Sequence, residues 1–124
     1  MLQIIPCITL FTGIALLFIY LKKYFIMIAH HVLFWLKADI TAEQKEAFRT
    51  SLQTLEGVEV VKNLHIGTPA PIERAVVDTT YTFSLIVFFD DLDAHNVYQE
   101  HPLHLAFLDG FRIYFEKVVI YDAQ

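Results

Sequence analysis

Residues 28–36 read Ile-Ala-His-His-Val-Leu-Phe-Trp-Leu. The run is rich in β-branched and aromatic residues, which suits an extended strand. A sheet with one face in water alternates apolar and polar residues along each strand. Here Val32-Leu-Phe-Trp-Leu36 is apolar on both faces, and so are Leu85-Ile-Val-Phe-Phe89 and Val118-Val-Ile-Tyr121. Strands of this kind need cover on both sides.

The segments between them supply cover for one side only. Thr41-Ala-Glu-Gln44 is a capping-box pattern that opens a helix running to about Glu56, with Phe48, Leu52 and Leu55 at helical spacing and Gly57 at its end. Glu59 to Gly67 reads as a second strand, and a loop with Pro69 and Pro71 leads to a third over Thr80 to Phe89. The acidic run Asp90-Asp-Leu-Asp93 starts a further helix that Pro102 interrupts near Glu100. Proline is welcome at a first helical position, so another helix runs from Pro102 to about Ile113. Phe107, Phe111 and Phe115 recur every four residues as a core stripe, and Lys117 to Tyr121 is the last strand. The order is βαββαβ, an α+β ferredoxin-like arrangement with a four-stranded antiparallel sheet and helices on one face. The most economical cover for the bare face is a second copy of the same sheet, giving a homodimer built as an α/β barrel.

The amino terminus is of another kind. Residues 1–26 hold no Asp, Glu, Arg or His, and Lys22 and Lys23 are their only charges. The stretch from Ile4 to Leu21 just meets the length of a transmembrane helix. Two readings stay open: a membrane anchor, or a leader upstream of a start at Met27. As an anchor, the two lysines would keep residues 27–124 in the cytoplasm, tethered to the inner face of the membrane. The chain thus divides into a hydrophobic leader, 1–26, and a polar domain, 27–124, of net charge −7. That acidity argues against a nucleic-acid partner. The single cysteine, Cys7, excludes an intrachain disulfide and a cysteine-based zinc site. No phosphate-cradling glycine loop or serine nucleophile elbow is present.

The segment with chemistry in it is Tyr98-Gln-Glu-His101-Pro102-Leu-His104. A tyrosine and two histidines bracket a helix break. His104 can exchange a proton near neutral pH, and Tyr98 can donate to a developing oxyanion from an apolar wall. The same residues also fit structural roles, with His101 capping the helix at Pro102 and His104 bonded to a backbone carbonyl. His30 and His31 are neighbours on a strand and point to opposite faces, so they cannot share one ion. With His101 and His104 separated by Pro102, no metal site is expected and no cofactor is needed. His65 reads as a core or pocket histidine, and His95, beside Asp93, as a solvated one.

The opening Met27-Ile-Ala-His30-His-Val-Leu-Phe-Trp-Leu-Lys37, the Tyr98…His101-Pro-Leu-His104 segment and the closing Phe115-Glu-Lys-Val-Val-Ile-Tyr-Asp122 together resemble the stress-responsive dimeric α/β-barrel (Dabb) family. The resemblance covers residues 27–124. It implies a homodimeric barrel and a first residue near Met27. One plant branch of the family comprises polyketide cyclases that close a poly-β-ketone by an aldol step. Carried over, Tyr98 would hold the reacting carbonyl and His104 would abstract the α-proton. His30 and Asp122 match polar positions near the same pocket. Phe83 and Leu52 stand where the cyclases carry polar pocket residues, so this pocket is expected to be more apolar. The reading is of a small apolar, carbonyl-bearing ligand held in the barrel, with cyclase-like proton transfer. The alternatives are a non-catalytic homodimeric stress protein and a haem- or quinol-type monooxygenase.

Overall fold

The computed structural model describes residues 14–17 and 27–124. The expected membrane anchor therefore lies outside the described residues, apart from 14–17. Among the described residues no helix is long and apolar enough to cross a membrane.

The elements follow the expected order. Strand β1 is Ile28–Leu36, helix α1 is Ala42–Thr54, β2 is Asn63–Gly67 and β3 is Phe83–Phe89. Helix α2 is Leu92–Glu100, α3 is Pro102–Phe111 and β4 is Phe115–Ala123. The sheet order is β2-β3-β1-β4, with every neighbouring pair antiparallel. This is the ferredoxin-like arrangement, with β3 set between the two strands that α1 connects.

Local chemistry fixes the helix starts. Thr41 and Gln44 close the capping box: the Gln44 N–H donates to the Thr41 hydroxyl at 3.1 Å, and the Thr41 N–H donates to the Gln44 side-chain oxygen at 2.8 Å. Thr41→Ala is expected to cost about 1 kcal/mol, read as a lower urea midpoint at unchanged slope. Asp91 caps α2 through the Ala94 N–H. At the helix break, His101 is extended and its Nδ1 accepts from the Leu103 N–H at 3.1 Å, with Pro102 in the first turn of α3. So His101 and Pro102 form a cap. Glu59 anchors the other nitrogen of His101 at 3.3 Å.

Three boundaries differ from expectation. Strand β2 begins at Asn63, because Val58 to Val61 turns back on itself through the Val61 N–H to Val58 carbonyl bond. The third strand starts at Phe83, three residues late; before it, the Thr82 hydroxyl is engaged by the Leu36 N–H. Helix α1 ends at Thr54 and tightens into a 3₁₀ turn, Leu55–Gly57, that pulls Leu55 and Val58 into the core. No described glycine has a positive φ, so Gly57 does not end the helix by a left-handed turn.

All three helices pack on one face of the sheet. That face carries Ile28, His30, Val32, Phe34 and Leu36 of β1, alternating as buried with the half-buried residues between them. Phe48 of α1 is the hub. Its ring lies 5.2 Å from Phe34, 5.4 Å from Phe107, 5.6 Å from Phe111 and 6.0 Å from Phe115, and it stacks on Phe83 at 5.5 Å. The expected Phe107/Phe111/Phe115 stripe is thus core. The register places Leu33, Ile86 and Val119 together on the opposite face. His65 lies on that same face of the edge strand β2 and is exposed, not a core or pocket residue. On the neighbouring strand it pairs with Ile86.

Candidate active site

The helix break and the first strand build the site together. Tyr98 sits on the inward side of α2 with no exposed surface, and His104 sits one turn into α3, 9% exposed. Their ring centroids are 4.7 Å apart. They flank a cavity of about 140 Å³ whose other walls include His30, Val32, Phe107 and Ile120. The cavity lies between helices and sheet within one chain. It lies on the opposite side of the sheet from the face on which a second sheet would pack. The reason is the pleat: Tyr98 and His104 are on helices, and helices pack on the other side of the sheet.

Each polar group has a defined state. The His104 Nδ1–H donates to the Gln99 backbone carbonyl at 3.0 Å, so Nε2 carries the lone pair. This carbonyl is left free at the C-terminus of α2, because the Leu103 N–H that would follow it in a continuous helix donates to His101 Nδ1 instead. The backbone bond expected of a structural histidine is therefore present, and it fixes the ring with Nε2 left as an acceptor. Burial pushes the His104 imidazole below its ordinary value of 6.5, and a bond to that carbonyl opposes the shift. His104 is thus neutral at pH 7.

Tyr98 is unusual in another way. Its hydroxyl is buried and has no hydrogen-bond partner among the described residues. Burial pushes the phenol well above its ordinary range, so it stays a donor. A buried hydroxyl left unpaired costs about 1–3 kcal/mol, a cost that a ligand oxygen accepting from it would remove.

His30 and Asp122 face each other across the β1–β4 pairing. The His30 Nδ1–H donates to Asp122 Oδ1 at 2.6 Å. Burial lowers the His30 pKa, partly offset by that carboxylate. His31 points to the opposite face, as expected, and bonds the Ser84 hydroxyl at 2.9 Å.

His95 was not expected here. Its side chain is only 14% exposed, against the reading of a solvated residue. It lies one helical turn before Tyr98 and so shares the inward face of α2. Its ring sits 5.0 Å from that of His30, and its Nε2 accepts from the Gln99 side-chain amide at 3.1 Å. The i, i+3 spacing from Tyr98 was the available signal. Phe83 and Leu52 are not brought to the cavity; both are buried core residues around Phe48.

The two lowered histidines make stability depend on pH. A folded pKa below the unfolded one means that the unfolded chain binds more protons between the two values. The stabilisation from keeping His30 and His104 neutral is complete above 6.5 and is lost as pH falls through the folded values. The thermal midpoint is expected to drop between about pH 7.5 and pH 5, and His104→Gln should flatten that drop.

A ferredoxin-like domain with an apolar cavity, an orphaned phenol and an oriented imidazole is the class that these features define. Residues 28–124 match the stress-responsive A/B barrel domain family, and the chain belongs to that family. It is similar to olivetolic acid cyclase of Cannabis sativa, 27% identical over 96 residues that span 77% of this chain and 93% of the cyclase. Among solved structures, a Dabb family protein with a ferredoxin-like fold from Mesorhizobium loti superposes with a TM-score of 0.64 at 28% identity, covering 79% of this chain and 95% of that one. A protein from Bacteroides fragilis, described as dimeric with a ferredoxin-like fold, gives 0.62 at 25% identity over 79% and 95% of the two chains.

Proposed function

We propose that residues 27–124 bind a small apolar molecule bearing a carbonyl group and exchange the proton on the carbon beside it. The observation that carries this reading is the Tyr98 hydroxyl, buried without a partner next to His104 in an apolar cavity. A substrate carbonyl oxygen accepts from Tyr98. His104 Nε2 takes the α-proton; the C–H electron pair moves into the enolate, and its oxygen charge is held by the Tyr98 O–H. The enolate carbon then attacks a second carbonyl of the same molecule, as in an aldol closure, and the new alkoxide regains the proton from the imidazolium. His30, held by Asp122, adds a second polar group to the wall. The likeness to a cyclase supports this reading.

Acetophenone is a suitable binding probe, being apolar with one carbonyl. It is expected to shift the thermal midpoint of the parent protein upward, and Tyr98→Phe should remove most of that shift. An equal shift in the variant would overturn the role given to the hydroxyl.

The same reading takes the protein as a homodimer whose sheets face each other. The supporting observations are the apolar outer face around Leu33, Ile86 and Val119, and neighbours described as dimeric. Leu33→Asp is expected to turn a dimer into a monomer in sedimentation velocity at micromolar concentration. A parent protein that sediments as a monomer would contradict the pairing.

A further inference from the structure

Three groups that are far apart in sequence meet beside His30, which also lines the cavity. His30 comes from β1, His95 from α2 and Asp122 from β4, and one ligating atom from each lies within 4.8 Å of the others. We propose that His30 Nδ1, His95 Nε2 and a carboxylate oxygen of Asp122 form a binding site for one divalent transition-metal ion of the zinc type.

The geometry is close to what such an ion needs. Zinc takes nitrogen and oxygen ligands at about 2.0–2.2 Å, which in a tetrahedron sets the ligand atoms about 3.3 Å apart. Here the His30–Asp122 distance is 2.6 Å and the His95–Asp122 distance is 3.9 Å. These two distances bracket the required value and the third lies within 4.8 Å, so side-chain adjustment without a change of fold brings the three atoms onto one ion. The two imidazoles are nearly dry, at 4% and 14% side-chain exposure, while Asp122 is 47% exposed and gives the ion a way in. The Phe89 ring closes the apolar side, 5.5 Å from His95 and 6.5 Å from His30. Two imidazoles with one carboxylate select zinc, nickel or copper over the hard ions magnesium and calcium. Three protein ligands leave a fourth position for water, the pattern of reactive zinc sites.

Binding would also change what His30 presents. Without the ion its Nδ1–H is committed to Asp122, and Nε2 is an acceptor. With the ion on Nδ1, the same proton must move to Nε2, which becomes a donor. No net proton is released by His30 in this exchange, only its tautomer changes. The inference does not depend on the carbonyl chemistry of Tyr98 and His104.

The test is titration of the chelator-stripped full chain with zinc chloride by calorimetry, with cobalt(II) as an absorbance probe. One ion per chain is expected, with visible bands of tetrahedral cobalt. His95→Ala and Asp122→Asn should each weaken zinc binding by about tenfold or more, while His65→Ala, which removes an exposed histidine, should leave it unchanged. Nitrogen-15 spectra of the parent should show His30 passing from the Nδ1–H to the Nε2–H form. No saturable binding, affinity unchanged in His95→Ala, or equal losses in His65→Ala would overturn the site.

Discussion

Phe48→Ala is expected to lower the unfolding free energy by about 3–5 kcal/mol, the largest loss from any single core truncation in this domain. Phe48 has no exposed surface. Its ring touches the rings of Phe34 on β1, Phe83 on β3, Phe107 and Phe111 on α3, and Phe115 on β4. Removing it opens a void walled by four other elements besides its own helix. Those walls are tied to separate backbones, so they cannot all close on the gap, and the cavity cost adds to the lost transfer free energy. Phe111→Ala should cost less, because that ring is only half-buried at the rim. Urea unfolding of the two variants at constant slope measures both. A loss below about 1 kcal/mol at Phe48 would mean that the aromatic cluster is not the hub of the core.

The architecture was legible because local signals and the global pattern agreed. The Thr41/Gln44 box, the Pro102 break and the strand runs each named their element correctly. The β2 start was not legible, since Val58 and Val60 look like strand residues and only the tertiary pull on Leu55 and Val58 makes the chain turn there. Gly57 does close the helical segment, as the last residue of the 3₁₀ turn, but without the left-handed conformation that glycine favours there.

The site was legible in part. Tyr98, His104 and the His30–Asp122 pair meet as the motif implied, because a helix break and an antiparallel register bring them together. The layer that holds them was not legible: strands apolar on both faces call for cover on two sides, but do not say on which side this cavity lies. His95 was hidden by the polar residues around it, which hold the outward side of a helix whose inward side is set by Tyr98. The convergence of His30, His95 and Asp122 was not legible, since these residues lie far apart in sequence and come together only through the fold. Phe83 and Leu52 were placed by analogy with polar pocket positions, and their own apolarity draws them to Phe48 instead.

His104→Ala carries the other large expected effect. A positioned base contributes about 10²–10⁴-fold to proton transfer, and an oxyanion donor about 10²–10³-fold. The His104 lone pair is free at neutral pH because burial lowers its pKa and the Gln99 carbonyl holds Nδ1–H. Tyr98 remains a donor for the opposite reason, burial raising its own. Exchange of the methyl protons of acetophenone in deuterated water, followed by proton NMR, reads this step without knowledge of the natural substrate. The parent protein is expected to accelerate the exchange over buffer, His104→Ala to lose at least about 10²-fold of that acceleration, and Tyr98→Phe to lose a comparable share. No acceleration by the parent, or equal acceleration by both variants, would contradict proton transfer at this cavity.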